Sequence, residues 1–66
     1  MNITVNGTPT DWAADAKLAD VVASVTGSTT GVAVAVNDDV VPRGAWPTTA
    51  LRPGDRVEVL TAVQGG

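Results

Sequence analysis

Hydrophobic and polar residues alternate through Asn2, Ile3, Thr4 and Val5, the period of a half-buried strand. Asn6-Gly7 follows, the strongest short hairpin signal because both residue types tolerate positive φ. A second strand should return through Thr8 to Trp12, and Pro9, which has no backbone N–H, assigns it to a sheet edge. The period then changes. Leu18, Val21, Val22 and Val25 fall at i, i+3, i+4 and i+7, one face of a helix, with Asp15 or a neighbour as the N-cap and Gly27 as the stop. Ser28 to Gly31 reads as a loop. Val32, Val34 and Val36 then alternate with Ala33 and Ala35, a strand apolar on both faces, up to a polar turn at Asn37-Asp38-Asp39. Val40-Val41 opens a short strand that Pro42 ends, and Arg43 to Leu51 is read as irregular, with Trp46 and Leu51 anchored in the core. After a Pro53-Gly54-Asp55 turn, Arg56 to Val63 forms the last strand. One of its faces carries Val57, Val59, Thr61 and Val63, the other Arg56, Glu58, Leu60 and Ala62.

One helix laid across a small sheet buries Leu18, Val21, Val22 and Val25 against Ile3, Val5, Val34, Val36, Val57 and Val59. The helix joins strands too remote for a hairpin, and a right-handed crossover favours parallel pairing of the first and last strands at the sheet centre. The expected class is α+β, a β-grasp, ubiquitin-like mixed sheet of four or five strands packed on one helix. No repeat or linker interrupts residues 1–66, so they are read as a single domain.

Composition narrows the function. The 66 residues include no cysteine and no histidine, which removes disulfides, thiolate metal sites and the usual nucleophile-and-base constellations. The net charge of -3, with Lys17, Arg43, Arg52 and Arg56 as the cations, offers no basic stripe for a nucleic acid. No apolar run approaches the length of a membrane span, and the chain is read as cytoplasmic. Asp38-Asp39 could be offered as a paired-carboxylate site, but adjacent side chains diverge, and a turn tip is the simpler reading with no metal. Arg43 is read as a solvated cation that could meet a partner's carboxylate. The sequence closes on a diglycine, Gly65-Gly66, preceded by Gln64. A residue without Cβ threads a narrow slot, so the expected working group is the Gly66 carboxylate on a flexible tail. The alternative is a frayed end. Leu60 and Ala62 fall on the otherwise polar face of the last strand, beside Ala33 and Ala35, and together are expected to form a partner-docking surface rather than an incidental exposure.

Asn6-Gly7, Ala33-Val34-Ala35-Val36-Asn37, Val41-Pro42-Arg43, Trp46, Leu51, Gly54-Asp55 and the closing Val59 to Gly66 resemble, in order and spacing, the ThiS sulfur-carrier proteins of thiamine biosynthesis. Lys17 departs from that pattern, in which a Thr usually precedes the helix Leu. The resemblance implies a carrier, not an enzyme. An E1-like adenylating enzyme would use ATP and magnesium to convert the Gly66 carboxylate to an acyl-adenylate, and sulfur from a cysteine desulfurase or equivalent donor would displace AMP. The resulting thiocarboxylate would deliver sulfur at thiazole synthase. Other readings are a MoaD-type carrier for molybdopterin, a carrier for cysteine or tRNA thiolation, and a β-grasp interaction module whose tail has no chemistry; the Val41-Pro42-Arg43 and Trp46 region favours the thiazole carrier over these.

Overall fold

The computed structural model describes residues 1–27 and 30–61, so Ser28 and Thr29 of the expected loop lie outside the described residues. Five strands, β1 (Asn2–Val5), β2 (Thr8–Asp11), β3 (Val32–Val36), β4 (Asp39–Val40) and β5 (Arg56–Thr61), form one mixed sheet in the order β2-β1-β5-β3-β4. The single α-helix among the described residues, α1 (Leu18–Val25), crosses one face. The parallel pair is β1 with β5, registered Thr4 to Arg56 and Val5 to Val57. β5 also runs antiparallel to β3, from Val32 opposite Thr61 to Val36 opposite Val57. The first and last strands are thus neighbours at the sheet centre, and Pro9 lies on an edge strand, as the residue pattern requires.

Both hairpins turn on two residues with positive φ, Asn6 (49°) and Gly7 (82°) in one, Asn37 (50°) and Asp38 (73°) in the other. That geometry matches the right-handed twist of the flanking strands. At Gly54, φ is 88°, the value a type II turn needs after Pro53, and the Asp55 N–H closes the turn on the Arg52 carbonyl at 3.1 Å.

Strand alternation sends Ile3, Val5, Val34, Val57 and Val59 to one face, where Leu18, Val21 and Val22 of α1 cover them. Ile3, Leu18 and Val21 have no solvent exposure. Trp46 and Leu51 close the core from the side, and the Trp46 indole N–H donates to the Val41 carbonyl at 2.9 Å. The ring therefore buries its apolar body with its polar atom satisfied.

Several local expectations are corrected. The helix starts at Leu18, with Lys17 rather than Asp15 at the N-cap. A lysine side chain has no acceptor, and the initiation comes from Asp20, whose carboxylate accepts the Lys17 N–H at 2.9 Å. The helix stops at Thr26 in an extended conformation, not at a left-handed Gly27, and the Thr26 N–H donates to the Val22 carbonyl. Val25, the final helical residue, is 41% exposed, and Val36 is half-buried against the core rather than within it. Residues 43–48 are not irregular: Arg43–Thr48 is a 3₁₀-helix, and the Leu18 N–H bonds to the Thr49 carbonyl just past it at 2.9 Å. The returning strand ends at Asp11, the short strand is Asp39–Val40, and β5 is described to Thr61, so the expected extension to Val63 lies outside the described residues.

Val57→Ala and Val22→Ala are each expected to lower stability by about 1 to 3 kcal/mol, the transfer and cavity cost of buried methyl groups. Val25→Ala should stay within about 0.5 kcal/mol of the parent, as surface substitutions do. Denaturant melts of the three variants check the division between core and surface.

Candidate docking face

The face of the sheet opposite α1 carries the outward residues of each strand. On β5 these are Arg56, Glu58 and Leu60; on β3, Ala33 and Ala35. The antiparallel register sets Ala33 opposite Leu60 and Ala35 opposite Glu58. Leu60 is 68% exposed, Ala33 is exposed and Ala35 half-buried. Three of the residues singled out from sequence therefore lie together. The fourth, Ala62, and the tail residues Gln64, Gly65 and Gly66 lie outside the described residues.

Val40 completes the patch, and alternation along its own short strand does not reveal it. The two-residue turn pairs Ala35 with Val40, so the Val40 side chain shares the face of Ala35, and it is 78% exposed. Its placement depends on the turn length, because one residue more or less would have sent it to the other face. Leu60, Val40, Ala33, Ala35 and Glu58 line a shallow depression of about 80 Å³. Small alanines between two larger aliphatics leave a surface that a partner's apolar side chain can enter.

Charge lies on one side of the patch. Arg56 donates from Nη2 to Asp38 Oδ2 at 3.0 Å, and its Nη1 stands 3.8 Å from Glu58 Oε1. The hydrogen bond to Asp38, and then its charge, hold the Arg56 guanidinium above its ordinary range. Asp38 is thus engaged with a cation rather than paired with Asp39, which lies in β4. Among the described residues no cluster of three or more His, Cys, Asp or Glu gathers as a metal site, and no helix is long and apolar enough to cross a membrane.

The sheet order and its single helix recur in known proteins. The ThiS family model matches residues 3–66. The chain belongs to the ThiS family. A crystal structure of the thiamine biosynthesis protein ThiS from Geobacter metallireducens is similar with a TM-score of 0.80 and 32% identity, over 100% of both chains. A solution NMR structure of a thiamine biosynthesis protein from the same organism has a TM-score of 0.80 and 33% identity, over 100% of this chain and 88% of that one. Comparison with curated proteins gives no significant match. The mixed five-stranded sheet with one helix is the β-grasp fold of ThiS.

Leu60→Ala is expected to leave stability within about 0.5 kcal/mol, because the side chain is largely solvated in the free protein. Trp46→Ala, which empties a filled and hydrogen-bonded site, should cost about 3 to 5 kcal/mol. Thermal melts of the two variants separate the face from the core.

Proposed function

We propose that this chain is a sulfur carrier of thiamine biosynthesis that holds its cargo as a thiocarboxylate on Gly66. The observation that carries this reading is the ThiS family match, which runs from residue 3 through the diglycine at 65–66. The residue inventory agrees with it: without His or Cys, the chain supplies no imidazole base and no nucleophilic thiol.

In this reading an E1-like adenylating enzyme binds ATP and magnesium. A Gly66 carboxylate oxygen attacks the α-phosphorus, pyrophosphate leaves, and the acyl carbon becomes electrophilic. A persulfide sulfur from a cysteine desulfurase or equivalent donor then attacks that carbon, and AMP departs with the bonding pair. A thiol reductant cleaves the S–S bond of the resulting acyl disulfide to free the thiocarboxylate. Thiazole synthase receives the sulfur. The enzymes supply acid, base and electrostatic stabilisation, and the carrier supplies a reachable carboxyl group.

The docking face would do the rest. A glycine tail loses ordering entropy on binding and buries little area, so affinity has to come from the folded body. Leu60, with Ala33, Ala35 and Val40, is the apolar surface that would seat on the adenylating enzyme.

Incubation with the adenylating enzyme, ATP, magnesium and a sulfur donor should raise the mass of the intact protein by the difference between one sulfur and one oxygen. Deleting Gly66, or adding a residue after it, should abolish that change without altering the melting curve. An unmodified parent, or a modified truncated chain, would overturn the reading. Leu60→Asp should weaken binding to the adenylating enzyme at least about tenfold in a calorimetric titration, because a charge would be buried unpaired in the complex.

A further inference from the structure

The Asn6-Gly7 turn needs positive φ at both positions, and Asn, Asp or Gly would each satisfy the 49° at residue 6. Turn geometry alone does not choose among them. The side chain does. Asn6 Oδ1 accepts the Val59 N–H at 2.8 Å, and Asn6 Nδ2 donates to the Val59 carbonyl at 3.2 Å.

The position of these bonds gives them meaning. Along the parallel seam, the Thr4 N–H donates to the Asp55 carbonyl at 3.0 Å and the Asn6 N–H to the Val57 carbonyl at 2.9 Å. The next bonds in that alternation belong to Val59, but β1 has ended at Val5 and its chain has turned away. One side-chain amide, with an acceptor and a donor in the same plane, replaces the backbone amide that the turn removed. It holds the Val59 backbone on the side where strand pairing has stopped, while β3 holds β5 on the other side as far as Thr61.

Leu60, the most prominent residue of β5 on the docking face, follows Val59 directly. We propose that Asn6 is a positioning residue: its side-chain amide fixes the end of β5 and so presents Leu60 in the geometry that docks on the adenylating enzyme. This rests on the carrier reading above. Without the amide, Val59 and Leu60 sample more conformations in the free protein, and that freedom is lost again on docking. The effect belongs to association, so it appears in KM for the carrier rather than in kcat.

The test uses Asn6→Gly, which keeps the left-handed backbone and removes both bonds, and Asn6→Asp, which keeps the acceptor and sets an oxygen where the donor stood. Each is assayed with the adenylating enzyme, ATP and magnesium at a temperature where circular dichroism shows both variants fully folded. In Asn6→Gly, amide exchange at Val59 should accelerate roughly tenfold relative to the Thr4 amide at the other end of the seam, the effect of losing one hydrogen bond. KM should rise roughly three- to tenfold with kcat nearly unchanged in Asn6→Gly, and KM should also rise in Asn6→Asp. Parent-like KM in both variants despite faster Val59 exchange in Asn6→Gly would overturn the positioning role, as would unchanged Val59 exchange in Asn6→Gly. If the parent protein itself is not adenylated, the carrier reading fails and this proposal fails with it.

Discussion

The parallel contact between β1 and β5 is the constraint on which the rest of the molecule depends. It joins the beginning of the chain to its end through a short seam, Thr4 with Arg56 and Val5 with Val57. A parallel pair cannot be closed by a hairpin, so the chain between must leave the sheet plane and return. The helix travels on one side, and its apolar stripe meets the inward residues of β1, β3 and β5 there. The opposite side receives no second layer among the described residues. Exposed Leu60 and Val40 are therefore a consequence of topology, since a sheet covered once has a bare face, and strand alternation decides which residues occupy it.

Much of this is legible in the residues because period and turn chemistry act locally. Asn6-Gly7 and Pro53-Gly54 announce their turns, and the valine alternation gives each strand its inward face. The differences share a cause: they lie where a tertiary contact, not local preference, sets the structure. An acidic residue is a familiar N-cap, which points to Asp15, whereas the observed helix start rests on Asp20 reaching back and on Thr49 meeting Leu18. Arg43–Thr48 has no periodicity to read, and its 3₁₀ winding accompanies the burial of Trp46. Val25 fits the helical stripe but sits at its last position, where the covered face has run out. Of the bare face, Leu60, Ala33 and Ala35 follow from alternation, while Val40 needs the turn length. Asn6 is readily recognised as a turn residue, and that signal conceals its second use.

The two turn asparagines act on the same strand from opposite sides. Asn37 accepts the Arg56 N–H at 2.9 Å through Oδ1 and donates from Nδ2 to Asp55 at 2.9 Å, at the start of β5. Asn6 engages Val59 three residues later. In a chain of 66 residues, which buries a modest share of its surface, such bonds fix the register of the central strand without asking for a larger core. The strand carrying Leu60 is thereby held from one side at Arg56 and from the other at Val59.

The sheet's outer strands bear on what the bare face can become. β2 contains Pro9, which has no N–H to offer, and β4 is two residues long. Neither gives another chain a continuous ladder to extend. A head-to-tail edge contact between copies leaves a fresh edge exposed and can repeat into fibrils, whereas a self-complementary contact through one face is finished once that face is covered. The architecture thus lets the molecule carry an exposed aliphatic patch while steering its encounters toward closed complexes of fixed stoichiometry.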